Sequence, residues 1–223
     1  MDGIVLIDKP KGWSSFDVVA KLRGQIKRQT GVKRPKVGHT GTLDPLASGL
    51  LVLVVGTYCK RAGEFSKLDK VYETELTLGQ TSTTDDNEGT KTVVSDRIPS
   101  EEEITAVLHT FVGEQLQLPP AFSAIKVGGQ RAYKLARAGK EVVMEPRRIQ
   151  VHEITRVVYE YPRLCFTVSV SSGTYIRSLA RDIGERLGTG AYMSGLIRTS
   201  VGPYRLVDAT IIEDFQLQDI RHI

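Results

Sequence analysis

Two hundred and twenty-three residues, 40% hydrophobic and 25% charged, build a large core without disulfide or metal support, which excludes the small stapled and the disordered classes. Thirty Lys and Arg against 26 Asp and Glu leave a formal charge of +4, and a pI near 9.0 tilts the chain toward an anionic partner. No apolar stretch reaches 18 residues, the apolar run between Asp2 and Asp8 is too short for a signal peptide, and Cys59 and Cys165 stand far apart in strand-like segments; a soluble, cytoplasmic chain with reduced thiols and no membrane partner is expected.

Residues 3–8 predict a short buried strand, stopped by the Lys-Pro-Lys-Gly turn at 9–12. Ser14 or Ser15 then caps a helix whose Val18, Val19, Leu22 and Ile26 recur at helical spacing. Along its outer face and exit come Lys21, Arg23, Lys27, Arg28, Lys33, Arg34 and Lys36, with no acidic residue between them. Such a run suits a solvated face or a set of phosphates. Residues 50–55 read as a central strand, 71–78 as a strand of period two, 81–89 as a small polar turn and 92–93 as another strand. Ser100 and Glu103 form a capping box for a helix with Ile104, Val107, Leu108 and Phe111 inward and Gly113 at its end.

A loop follows at 118–126, then a short basic helix around 133–137. Strands return at 148–154 and 164–170, and 171–177 turns into a helix with Ile176, Leu179, Ala180, Ile183 and Leu187 on one stripe. Irregular interleaving of strands and helices predicts an α+β chain with a mixed sheet. No repeat or linker divides it, so residues 1–223 are expected to form a single domain.

His39, His109, His152 and His222 are too widely spaced for a zinc site, and neither Cys-x-x-Cys nor His-Glu-x-x-His occurs. No dinucleotide-binding glycine fingerprint and no Walker loop is present either. Chemistry by plain side chains is the expectation, with no metal and no cofactor.

Asp44 is the first candidate. It lies between Leu43 and Pro45 in a loop with Gly38, Gly41 and Gly49, where a stiff backbone presents a carboxylate as nucleophile or base, or simply makes an Asp-Pro turn. Arg177, beside Ile176 at a helix start, suits either a fork onto a buried carboxylate or an exposed helix face. Tyr72 offers a ring to an extruded base or to the core, and His39 is either a stacking and hydrogen-bonding residue or an ordinary loop histidine.

Taken together, the motifs resemble one family. The segment GHTGTLDPLASGL at 38–50 is similar to the signature of the TruB family of tRNA pseudouridine synthases. DKPKGWSS at 8–15 resembles its lysine–proline motif, KVY at 70–72 its tyrosine segment, and PPAFSAIK at 119–126 through ARAG at 136–139 its RNA-gripping thumb. GTYIRSLARDIG at 173–184 is similar to its arginine motif and LIRTSVGP at 196–203 to its last core segment, so the likeness covers residues 1–210 in order.

The resemblance implies a pseudouridine synthase fold: a central mixed, mostly antiparallel sheet with flanking helices and a catalytic cleft, plus a thumb insertion at about 117–146. Against the pattern of many relatives, no C-terminal PUA domain is expected in residues 1–223, as in a short member or a fragment. The resemblance also implies an isomerase that flips the uridine at tRNA position 55 out of the T-arm loop, breaks N1–C1′ and joins C5 to C1′. By motif position Asp44 is the catalytic aspartate, Arg177 its ion-pair partner and Tyr72 the stacking residue; Leu196 walls the base pocket and His39 meets the loop nucleotides. Lys9, Lys27, Arg28, Lys33, Arg34, Lys126 and Arg131 are the expected RNA contacts, in a monomer whose partner is the tRNA T-arm. Thr83 stands where many relatives carry an acidic residue, a role Asp85 or Asp86 can fill. A non-catalytic tRNA-binding protein and a synthase with another RNA target are the alternatives.

Overall fold

The computed structural model describes residues 1–123 and 125–222, with Arg137 described in its backbone alone. In chain order the elements are β1 (Gly3–Lys9), α1 (Ser15–Thr30), β2 (Val37–His39), β3 (Ser48–Val55), α2 (Ala62–Ser66), β4 (Lys70–Leu78), β5 (Gln80–Ser82) and β6 (Lys91–Val93). They continue with α3 (Glu101–His109), β7 (Gly113–Gln117), β8 (Lys126–Val127), β9 (Gln130–Arg131), α4 (Ala132–Arg137), β10 (Arg147–Glu160) and β11 (Arg163–Val170). α5 (Ile176–Leu187), β12 (Ala191–Val201), β13 (Tyr204–Arg205) and β14 (Thr210–Ile211) complete the chain. The class is α+β, with mixed sheet of mainly antiparallel strands. Two units emerge: residues 1–73 with 196–222, and residues 74–195.

In the first unit β1 runs antiparallel to β3 over its whole length and parallel to β14, while β3 is parallel to β12. Both faces of β1 and β3 are buried. Val5, Ile7, Leu51, Leu53 and Val55 pack under Val18, Val19, Leu22 and Ile26 of α1, and Ile4, Leu6, Leu50, Val52 and Val54 pack with Phe65 and Val201 on the other side. Coverage on both faces is why these strands read as unbroken apolar runs rather than as alternation. Ser14 caps α1 in a reciprocal box with Asp17, and Gly31 in the left-handed region closes it.

In the second unit the strand order is β12-β4-β11-β10-β7, and β4 and β11 bury alternate residues as their period of two predicts. α5 buries Ile176, Leu179, Ala180, Ile183 and Leu187. Four expectations are corrected. The helix that starts at Ser100 stops at His109, because Thr110, Phe111 and Val112 turn back with bonds to the third preceding carbonyl; Val107 is only half-buried, and Gly113 opens β7 instead of capping the helix. β10 runs on to Glu160 past two register shifts. β12 is a long strand that the sequence pattern did not announce. Cys59 sits in a 3-10 turn at Gly56–Arg61 rather than in a strand, and both cysteines are free thiols.

Gly184 lies inside α5, where alanine is normally the better helix former by about 1 kcal/mol. Here a Cβ would meet the Ala191 nitrogen at 2.1 Å, so the start of β12 passes too close for any side chain. Gly184→Ala is expected to lower unfolding free energy by about 2–4 kcal/mol in urea denaturation, the range of steric strain in a packed core. A variant as stable as the parent would show that this approach is not tight.

Candidate active site

The loop that carries Asp44 leaves β2 at His39, opposite Leu53, and re-enters the sheet at Ser48. β2 holds one end of an edge of β3 and β12 holds the other, through Ile197↔Ser48 and Arg198↔Gly49. The loop therefore emerges where one neighbour of β3 gives way to the next. Nearly every residue in it is tied down. The Thr40 amide and hydroxyl both donate to the Val52 carbonyl, each at 3.1 Å. Ser15 Oγ donates to the Leu43 carbonyl at 3.0 Å and accepts from the Leu43 amide at 2.8 Å. Gly12 donates to the Pro45 carbonyl at 2.7 Å, and Ala47 to the Asp44 carbonyl at 3.0 Å.

Arg198 completes the clamp, and sequence reasoning assigned it no role. Its side chain is buried, with Nε donating to the Leu50 carbonyl at 2.8 Å, one terminal nitrogen to Gly41 at 3.1 Å and the other to Thr42 at 3.5 Å. Gly49 has φ +101°, and a Cβ there would stand 2.5 Å from the Arg198 carbonyl oxygen, so only glycine lets β12 close on β3 at this point. An arginine flanked by Ile197 and Thr199 in the LIRTSVGP segment is the one sequence signal that could have found it.

Lys9 needs a correction. Placed among the RNA contacts by its motif, it is wholly buried, and its ammonium donates to the Pro10 and Trp13 carbonyls at 2.9 and 2.7 Å. A side chain without exposed surface does not reach a phosphate. Burial lowers its pKa to about 8, against a pull upward from the Asp44 carboxylate. Lys70, next but one to Tyr72, is buried in the same manner, bonded to Ser66 and Leu68 carbonyls, and its pKa also falls to about 8 through desolvation. Tyr72 is 8% exposed on β4; Leu196 is half-buried on β12; His39 meets the exposed Phe16 edge-on, ring centroids 5.2 Å apart. The strand position of Tyr72 is itself held, since Thr199 Oγ1 donates to the Val71 carbonyl at 3.3 Å.

In the second unit, Arg177 is 7% exposed, so the reading of a solvent-facing helix arginine is excluded. Its guanidinium donates to the Asp86 carboxylate at 3.3 Å, the Thr84 carbonyl at 3.4 Å and the Phe122 carbonyl at 2.9 Å. Asp86, buried as well, also accepts from the Glu88 amide at 3.0 Å and from the Thr84 hydroxyl. Asp86 is thus the acid of this turn that meets Arg177, and the Thr83 hydroxyl accepts from the Thr90 amide at 3.1 Å. Arg181 pairs with Asp85 at 3.1 Å and donates to the Leu118 carbonyl at 3.2 Å. Ser178 Oγ donates to the same carbonyl at 2.8 Å, and Gln117 exchanges two bonds with Tyr175. One face of α5 so grips the first residues of the thumb insertion.

Within the thumb, β8 and β9 form a small hairpin in which Lys126 lies directly opposite Arg131, both exposed. Like charges facing each other across a hairpin repel, a cost that a bound anion removes. Lys27, Arg28, Lys33 and Arg34 are exposed at the end of α1 and the turn beyond it, not at the Asp44 loop.

Comparisons with known proteins give the family. Residues 27–176 match the family model described as TruB family pseudouridylate synthase (N terminal domain), and residues 177–222 that of the tRNA pseudouridylate synthase B C-terminal domain. The chain is 44% identical over 214 residues to a tRNA pseudouridine synthase B from Phocaeicola vulgatus, covering 95% of this chain and 91% of that one. It is also 44% identical to one from Thermobifida fusca, covering 96% and 74%. Among solved structures, a chain of a Cbf5-Nop10-Gar1 complex superposes with a TM-score of 0.71 at 31% identity, over 95% of this chain and 53% of that one. This chain therefore spans about half the length of that structural relative.

The buried lysine makes the electrostatics testable. A Lys9 pKa of about 8, below its value of 10.5 when unfolded, means that the unfolded chain holds the extra proton between those limits. Stability tied to Lys9 is then lowest below pH 8 and rises as pH climbs toward 10.5. The unfolding free energy of the parent relative to Lys9→Met, from urea denaturation, is expected to rise by about 2–3 kcal/mol between pH 7 and pH 10. A difference independent of pH would place the ammonium in water.

Proposed function

We propose that this chain, which belongs to the TruB family of tRNA pseudouridine synthases, isomerises the T-loop uridine at tRNA position 55, with Asp44 as the catalytic carboxylate. The observation that carries this reading is the Asp44 loop: an aspartate on a segment with its backbone fixed at residues 40–47, framed by the family signature. A preorganised carboxylate meets a reacting sugar or base without loop reorganisation, which is where positioning lowers a barrier.

The target base starts stacked inside a folded loop, and extruding it costs a few kcal/mol. Tyr72 stacks on the extruded base, His39 meets displaced loop nucleotides, and Leu196 supplies an apolar wall that keeps the detached base in place. Asp44 promotes N1–C1′ cleavage; the base turns, and C5 joins C1′. The C5 proton leaves and N1 gains one, so substrate and product are isomers and nothing else is consumed. The Arg177 rotamer is fixed by Asp86 and the Phe122 carbonyl. Lys126 and Arg131 take backbone phosphates. The enzyme works as a monomer in the cytoplasm on whole tRNA; no helix among the described residues is long and apolar enough to cross a membrane.

Asp44→Asn keeps the shape of the loop and removes the charge. Tritium release from C5-labelled tRNA is expected to fall by at least about 10³-fold, as for loss of a nucleophile or base, while tRNA Kd stays within about threefold. Retained turnover would remove Asp44 from the chemistry.

A further inference from the structure

A second concentration of positive charge lies away from the catalytic loop. Lys27 and Arg28 occupy the last turn of α1, Lys33 and Arg34 follow its Gly31 cap, and the Lys36 carbonyl accepts from Gly56 at 2.8 Å at the far end of β3. All five side chains belong to exposed residues, and none enters an ion pair found among the described residues. The C-terminal helix dipole accounts for cations at 27 and 28. It does not account for Lys33, Arg34 and Lys36, which lie beyond the helix and form no ion pair among the described residues.

Two elements measure how far this surface stands from Asp44. α1 begins at the loop, where Ser15 is bonded to Leu43, and Lys27 lies twelve residues on, or ~18 Å at ~1.5 Å per residue. β3 also begins at the loop, and Gly56 lies eight residues past Ser48, or ~26 Å at ~3.3 Å per residue. A nucleotide seated at Asp44 cannot touch these five cations.

We propose that Lys27, Arg28, Lys33, Arg34 and Lys36 form a second RNA contact that holds the sugar–phosphate backbone of the paired stem leading away from the T loop. The inference rests on the reading of this chain as a T-loop enzyme. Unpaired cations without interleaved aromatic rings suit duplex phosphates, which carry charge but little sequence information, rather than splayed bases. The surface fixes where the stem lies and leaves base choice to the Asp44 loop.

The test compares two RNAs, unmodified whole tRNA and a hairpin holding the T loop on a shortened stem, against the parent and a variant with Lys27→Gln, Arg28→Gln, Lys33→Gln, Arg34→Gln and Lys36→Gln. For whole tRNA, Kd is expected to rise at least about tenfold, and the slope of log K against log salt to become shallower by about four. For the hairpin, Kd and turnover are expected to change less than about threefold, which also reports an intact fold. Equal losses on both RNAs would put these residues in the catalytic site, and unchanged tRNA affinity and slope would assign the surface to a partner other than RNA; either overturns the proposal. The parent alone gives a second check, because its salt slope must be steeper on whole tRNA than on the hairpin, and equal slopes overturn the proposal without any variant. Binding is read apart from turnover, so a parent that forms no pseudouridine would strike the catalytic reading while the slopes still judge this surface.

Discussion

Three backbone carbonyls converge on the buried guanidinium of Arg198, and the presentation of Asp44 depends on that convergence. Hydrogen bonds from a charged donor contribute about 1.5–3 kcal/mol each, and removing the donor would leave the Gly41 and Leu50 oxygens short of a partner. Loops ordinarily spend their polar groups on water and move accordingly. This one spends them on Arg198, Ser15, Gly12 and Val52, so it behaves as part of the sheet. The arrangement has a cost, since Arg198 and Lys9 bring two cations into a core where backbone carbonyls accept their hydrogen bonds. Asp44 is the largest favourable charge acting on Lys9, so its carboxylate helps to stabilise a buried ammonium.

The second unit treats Arg177 by the same logic. A charge taken out of water is tolerated when its donors are met, and here they meet Asp86, Thr84 and Phe122. Because Phe122 belongs to the thumb and Asp86 to the turn after β5, the arginine links both to α5. Arg181 repeats the pattern one helical turn later with Asp85 and Leu118, and burial pushes the Asp85 carboxyl upward while Arg181 pulls it down. The thumb is thus anchored at its base, while its hairpin pairs exposed Lys126 with exposed Arg131.

Legibility in the sequence followed the kind of interaction. Strands covered on both faces, such as β1 and β3, appear as apolar runs, and capping boxes at Ser14 and Ser100 mark helix starts through local hydrogen bonds alone. β7 was not legible because GEQLQ is a polar edge strand, and β12 was not because Ser194, Gly195 and Arg198 break any clean alternation. Asp44, Tyr72 and Arg177 were picked out by their motifs, but the buried partners that fix them were not. Asp86 and Arg198 acquire their roles from residues some 90 and 150 positions away, a distance no local pattern spans. Lys9 misled for the same reason, since a lysine in a turn reads as exposed until the tertiary fold encloses it.

The most direct measurement is pseudouridine mapping at single-nucleotide resolution on unmodified tRNA incubated with the purified protein and no added cofactor. The account predicts one new pseudouridine, at position 55 in the T loop. An RNA left unchanged, or modified only at some other position, would contradict it.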